Sequence, residues 1–327
     1  MTEQELADKI RSGDRRALAR GITLVESRRE DHRRSAEKLL DLVMPKAGKS
    51  IRLGISGPPG VGKSTFIESF GQYLIDSGHK VAVLAIDPSS KISGGSILGD
   101  KTRMTELAKR KEAFIRPSPA GETVGGVARR TREALLLCEA AGFDVAIVET
   151  VGVGQSETTV AEMTDMFLLL LAPGGGDDLQ GVKRGVMELA DLLIVNKADG
   201  DLAAAAERTA SDYAHALRLM RPLHADWQPG VVKCSALKGE GMDDVWEKVA
   251  AFRKATAKNG ALDTRRRDQA KAWLAQEVTD GLLERLRSDP DLAAQLAKLE
   301  AKVVARKLSP GAAARQVLSS FFKGLEE

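Results

Sequence analysis

Residues Gly57-Pro58-Pro59-Gly60-Val61-Gly62-Lys63-Ser64-Thr65 set glycines, a lysine and two hydroxyls directly ahead of a helical Phe66-Ile67-Glu68. This is the G-x-x-x-x-G-K-[ST] pattern. Its glycines let consecutive backbone N–H groups point inward around phosphate oxygens, and the helix start adds the positive end of its dipole. In such a loop Lys63 reaches the β- and γ-phosphates and Ser64 ligates Mg²⁺. The bland alternative is an ordinary glycine-rich turn between a strand and a helix, and the complete pattern in that setting weighs against it.

A second stretch reads the base. The apolar run Leu192–Val195 ends in Asn196-Lys197-Ala198-Asp199, an N-K-x-D pattern. A carboxylate such as that of Asp199 can accept both N1–H and the exocyclic amine of guanine in a bidentate, charge-assisted pair. Adenine offers neither donor there and would leave the carboxylate unpaired. Alone this pattern is weak, but Ser235-Ala236-Leu237 ends the next apolar run, where backbone amides can support the guanine carbonyl. The order of the three segments points to GTP or GDP rather than ATP.

Acids at strand ends supply a metal side. Asp87 closes the run from Val81, and Glu149 closes the run from Asp144. A carboxylate in that position can hold Mg²⁺ through its water shell. Glu149 can serve the metal or orient the attacking water; both readings stay open. Within the glycine-rich 94–103 stretch, Asp100 can approach the metal and Arg103 can meet phosphate, against a plain surface charge pair. A further loop, 174–183, opens with three glycines and can report the γ-phosphate to a partner.

These residues need a scaffold. Near-continuous apolar runs at Ile51–Ser56, Val81–Ile86, Asp144–Glu149, Met166–Leu171, Leu192–Val195 and Val231–Cys234 read as strands buried on both faces of a parallel sheet. Alternation with helical stretches predicts a three-layer α/β domain with a mostly parallel sheet over 49–256, with ligands at the strands' carboxyl ends. Residues 1–48 read as helices, with Leu6 and Ile10, then Leu18, Ile22 and Val25, then Leu39, Leu40, Leu42 and Val43 on their apolar faces. From 257 to 327 the strand signal stops. Stripes at Trp273, Val278, Leu282 and Leu286 and at Leu292, Leu296, Leu299 and Val303 predict helices, with starts at Asp289-Pro290 and Ser309-Pro310.

Bulk composition narrows the alternatives. The chain has 327 residues, 43% hydrophobic and 29% charged, which fits globular domains with a full core. Its net charge is only +3, so neither nucleic acid nor an acidic membrane is the expected main partner. No apolar stretch approaches the roughly 20 residues that cross a bilayer, and no signal-peptide pattern opens the chain, so a cytoplasmic address is expected. Cys138 and Cys234 read as buried, reduced thiols. His32, His79, His215 and His224 lack metal-ligand spacing. Arg265-Arg266-Arg267 reads as a solvated helix face rather than a nucleic-acid patch.

Taken together, Gly57–Thr65, Asp87-Pro88-Ser89-Ser90, Gly94–Asp100, Phe114-Ile115-Arg116-Pro117-Ser118, Gly125-Gly126-Val127-Ala128-Arg129, Glu149–Glu157 and Asp177–Gly185 resemble the MeaB/ArgK family of P-loop GTPases. The stretch Arg15–Ser27 shares the resemblance, which spans most of 1–256. The resemblance implies a regulatory chaperone of the adenosylcobalamin enzyme methylmalonyl-CoA mutase that gates cofactor loading and protects the mutase from inactivation. It implies slow GTP hydrolysis, stimulated by the mutase, and a homodimer joined through the helical C-terminal extension. It assigns Asp87, Asp100 and Glu149 to the metal side and Asp177, Gln180 and Lys183 to a switch loop. A kinase and a nickel-delivery GTPase of related fold are the alternatives. The first is disfavoured by Asn196 and Asp199, the second by the lack of a His- or Cys-rich ligand set.

Overall fold

The computed structural model describes residues 1–27, 29–87, 104–119, 124–150, 156–174, 184–220, 222–224 and 226–323. Three helices open the chain: α1 (Glu3–Arg11), α2 (Arg15–Glu26) and α3 (Glu30–Val43). Thr2 and Glu5 form a capping box on α1, and Asp14 caps α2 by accepting from Arg16 N and Ala17 N. Leu6, Ile10, Leu18, Ile22, Val25, Leu39 and Val43 are buried, as their spacing predicts.

The sheet follows: β1 (Ile51–Ser56), β2 (Val81–Asp87), β3 (Ala113–Pro119), β4 (Val145–Thr150), β5 (Met166–Leu171), β6 (Leu192–Val195) and β7 (Gly230–Lys233). It is a seven-stranded sheet in the order β3-β2-β4-β1-β5-β6-β7, and every pairing is parallel. Between the strands run α4 (Lys63–Asp76), α5 (Thr105–Lys109), α6 (Val124–Ala140), α7 (Ser156–Ala161), α8 (Arg184–Glu188) and α9 (Ala203–Arg218), and α10 (Met242–Lys258) follows the last strand. The strands β1, β4, β5 and β6 are buried along their whole length, which explains their unbroken apolar sequences. On one face Phe66, Ile67, Phe70 and Leu74 of α4 and Val245, Val249 and Phe252 of α10 close over Ile55, Leu168 and Ile194. On the opposite side α1, α2 and α3 pack against α6.

One strand, β3, was not read from the sequence. Arg116, Pro117 and Pro119 interrupt its apolar run, and proline cannot donate to a ladder. At the sheet edge, paired only with β2, it tolerates them.

The chain divides into two compact units, Met1–Gln269 and Ala270–Glu327. The helix α11 (Ala261–Ser288) contributes its first turns to the first unit. In the second unit α12 (Pro290–Val304) begins on an Asp289 cap with proline in its first turn, and α13 (Pro310–Lys323) begins at the second predicted start. Its small core joins Leu299, Ala313 and Val317, with Leu286, Val303 and Leu308 against them. Leu274, Val278, Leu282, Leu283 and Leu296 of this unit stay exposed within the chain.

Candidate nucleotide site at the carboxyl ends of the strands

The chain turns between β1 and α4 through residues 57–62. Gly57 has φ 154°, and a Cβ there would come 2.5 Å from the Leu170 carbonyl oxygen. Gly62 has φ 91° and caps α4 with no side-chain hydrogen bond, so the first-turn amides of that helix are not covered by a capping side chain. A Cβ on Gly62 would lie 2.8 Å from Asn196 Nδ2. The phosphate-loop glycine and the N-K-x-D asparagine are therefore packed on each other, although 134 positions separate them in the sequence.

Lys63 is buried and bends back over the loop, donating from Nζ to the carbonyls of Gly57 at 2.7 Å and Pro58 at 3.2 Å. Burial pushes its amine below the usual lysine range, while the charges of Glu149 and Glu157 pull the other way. Ser64 Oγ donates to Glu149 Oε1 at 3.2 Å. Glu149 stands opposite Ile55 in the β1–β4 register, and the side chain is only 7% exposed. Beside it Thr150 Oγ1 donates to Ser56 Oγ at 2.8 Å. The backbone of Asp87 ends β2 one step beyond Ile86, which pairs with Thr150. The Asp87 side chain, and all of Asp100, Arg103, Asp177, Gln180 and Lys183, lie outside the described residues.

Asn196 is buried at the end of β6 and works with both ends of its amide. Its Nδ2 donates to Val61 O at 2.9 Å, and its Oδ1 accepts from Ala236 N at 3.0 Å. Lys197 sits in the left-handed region at φ 59°, which a side chain rarely adopts, and its Nζ donates to Gly60 O at 2.8 Å. Ser235 Oγ donates to Asp199 Oδ1 at 2.7 Å and accepts from Lys238 N at 3.2 Å. The side chain of Asp199 is thus anchored by one oxygen. Pro58, Pro59, Gly60 and Val61 on one wall and Ser235, Ala236 and Leu237 on the other are brought together by Asn196 and Lys197. Ser69 of α4 also reaches this loop, donating to Ala236 O at 2.5 Å, and no motif in the sequence points to it.

The opposite end of the sheet corrects one sequence reading. Arg265 and Arg266 are not solvated: Arg266 pairs with Asp165 and donates to Gly48 O and Ser50 O, and Arg265 donates to Ala161 O beside Asp191. Arg267 alone of the three is exposed. A basic run on a helix looks the same whether its partners are water or buried acids, and only the fold brings Asp165 and Asp191 to meet it. Cys138 and Cys234 are buried free thiols, as expected, and burial pushes Cys234 up to about 12. Among the described residues no helix is long and apolar enough to cross a membrane.

Residues 18–291 match the family described as methylmalonyl Co-A mutase-associated GTPase MeaB. The chain is 47% identical to the GTPase ArgK of Escherichia coli, over 98% of this chain and 97% of that one. It is 46% identical to the mitochondrial methylmalonic aciduria type A homolog of Mus musculus, over 98% of this chain and 80% of that one. A crystal structure titled LAO/AO transport system kinase superposes with a TM-score of 0.77 at 41% identity, covering 98% of this chain and 97% of the other. The match takes in the phosphate loop, the Glu149 strand end and the N-K-x-D segment in one continuous span, so this chain belongs to the MeaB family of methylmalonyl-CoA mutase-associated GTPases.

Proposed function

We propose that this chain binds GTP and GDP between the 57–65 loop and the Asn196–Asp199 and Ser235–Leu237 segments, hydrolyses GTP slowly alone, and acts as a nucleotide-gated chaperone of methylmalonyl-CoA mutase. The observation that carries the reading is the Asn196 side chain, hydrogen-bonded at once to the phosphate loop through Val61 and to the base loop through Ala236. That bridge holds phosphate and purine recognition at one spacing, the requirement for reading a whole nucleotide.

In this reading the amides of Gly60, Val61 and Gly62 and the start of α4 face the phosphates, and Lys63 exchanges its two carbonyl partners for phosphate oxygens. The charge of a bound triphosphate would favour the ammonium form that burial now disfavours. Asp199, with one oxygen anchored by Ser235, takes guanine N1–H and the 2-amino group. Mg²⁺ suits the hydroxyl and carboxylate oxygens that Ser64 and Glu149 bring together, with Asp87 at the adjoining strand end. Bound there, the metal would supply charge neutralisation for the transferring phosphoryl group. Asp100, with Glu149, is assigned to the catalytic side, and Asp177, Gln180 and Lys183 to a switch that reports nucleotide state to the mutase.

The exposed apolar side chains Leu274, Val278 and Leu282, spaced four apart along α11, support a homodimer through the C-terminal arm. Family membership supports the mutase as partner, with control of adenosylcobalamin loading and protection from inactivation as the output. The decisive measurement is phosphate release from GTP and from ATP, with and without purified mutase and adenosylcobalamin. GTP-selective turnover that rises with mutase supports the reading; equal use of ATP, or turnover indifferent to mutase, overturns it. Light scattering on a chain ending at Gln269 tests the arm, and a truncated protein that remains dimeric removes that role.

A further inference from the structure

The loop after β7 is held from every side. Ser235 and Glu240 exchange backbone hydrogen bonds at 3.0 and 3.1 Å, and a Cβ on Gly241, which follows, would come 2.6 Å from Lys233 O. Inside the loop, the amide of Ala236 is engaged by Asn196 and that of Lys238 by Ser235 Oγ. Among the described residues no hydrogen bond engages the Leu237 amide, and the Leu237 side chain is 83% exposed. The carbonyl of Ala236 belongs to the same peptide unit as the Leu237 N–H, and Ser69 Oγ donates to that carbonyl.

A trans peptide is planar, with its C=O and N–H on opposite sides, and the described chain contains no cis bond. Pinning the carbonyl to α4 therefore aims the N–H away from α4. Donation to the carbonyl also polarises the peptide and strengthens its N–H as a donor. Ser69 lies on the same helix whose start carries Lys63, so the group that orients this peptide and the groups that face phosphate ride on one rigid element.

We propose that Ser69 is a positioning residue for purine selection: through the Ala236–Leu237 peptide it directs the Leu237 N–H at the C6 oxygen of guanine. The inference rests on the guanine reading above and extends it to the edge of the base that Asp199 does not touch. Adenine carries an amino group at C6, so a fixed N–H there meets a donor instead of an acceptor. Selection then has two independent parts, Asp199 for N1–H and the 2-amino group, and Ser69 for C6.

The test compares three diphosphates by equilibrium binding to the full chain: GDP, IDP, which keeps the C6 oxygen but lacks the 2-amino group, and 2-aminopurine riboside diphosphate, which keeps the amine but carries hydrogen at C6. Ser69→Ala is expected to weaken GDP and IDP about five-fold each, the equivalent of about 1 kcal/mol for one hydrogen bond, and to leave the 2-aminopurine nucleotide unchanged. Ser69→Cys, a near-isostere with a weak donor, should fall between, and Ser69→Thr should restore GDP binding. Equal weakening of all three ligands would make Ser69 a general brace for the loop and overturn the proposal, as would unaltered GDP binding. Wild-type protein that fails to prefer GDP over ADP would overturn the guanine reading itself, a result separable from the first because it needs no variant.

Discussion

The two ends of the sheet treat charge in opposite ways. At the carboxyl end, the ammonium groups of Lys63 and Lys197 donate to main-chain carbonyls of the loop they serve, those of Gly57, Pro58 and Gly60. At the amino end, carboxylates meet arginines and strand amides directly. Glu139 binds Arg52 at 2.8 and 2.9 Å and also accepts from Ser50 Oγ and Gly48 N. Asp165 accepts from Arg52 N and pairs with Arg266, and Asp191 accepts from Phe167 N with Arg265 nearby. The ionisation follows. Burial drives Lys63 toward its neutral form, whereas at Glu139 burial pushes the carboxyl up but Arg52, Ser50 and Gly48 together hold it below the usual range. Charge left without a full counter-charge is what an anionic ligand can use; charge already matched holds the fold together.

Breaking each end should therefore cost different things. The largest effect is expected for Lys63→Ala, which removes the cation at the phosphate loop. GTP hydrolysis should fall by at least on the order of 10²- to 10³-fold in a phosphate-release assay, with unfolding by urea almost unchanged. Loss of stability without loss of turnover would erase the contrast. Glu139→Ala should do the reverse. It leaves Arg52 buried without its carboxylate and is expected to cost about 3–5 kcal/mol in urea unfolding, while the folded fraction keeps its GDP affinity. Asp199→Asn should weaken GTP on the order of 10- to 100-fold, from the loss of charge-assisted hydrogen bonds, and shift preference toward xanthine nucleotides. Competition with XTP reads this directly, and retained GTP preference would detach Asp199 from the base. The smallest effect is in pH. A folded-state value held below the ordinary one means that Glu139 contributes stability above the ordinary carboxylate range, and that this is lost as pH falls through the folded value. Urea midpoints followed into acid should show a shallower decline in Glu139→Gln than in the wild type.

The strands β1, β5 and β6 were legible to the residue because burial on both faces leaves an unbroken apolar run. The edge strand β3 was not, because an edge tolerates Arg116 and Pro117 that a central strand would reject. The G-x-x-x-x-G-K-[ST] and N-K-x-D patterns stood out as candidates because each is a short run of consecutive residues, and the structure joins them through Asn196 and Lys197. An aspartate stands one residue before each of β4, β5 and β6, at Asp144, Asp165 and Asp191; Asp165 and Asp191 accept from amides of the neighbouring strands β1 and β5, and Asp144 accepts from Lys80 N, one residue ahead of β2. That repeat was present in the sequence and went unread, since nothing local distinguishes it from a turn acid.

By itself the sequence determined the order of elements and the buried strands, and it marked out the candidate segments for phosphate and guanine, because periodicity and local spacing carry that information along the chain. Tertiary structure decided that Gly62 rests against Asn196, that Ser69 grips the loop after β7, and that Arg265 and Arg266 are anchors instead of a wetted face. Those pairings join segments far apart in the chain. Whether a polar side chain meets water, a carbonyl or an opposite charge is settled only when the sheet and its helices bring such segments within hydrogen-bond reach.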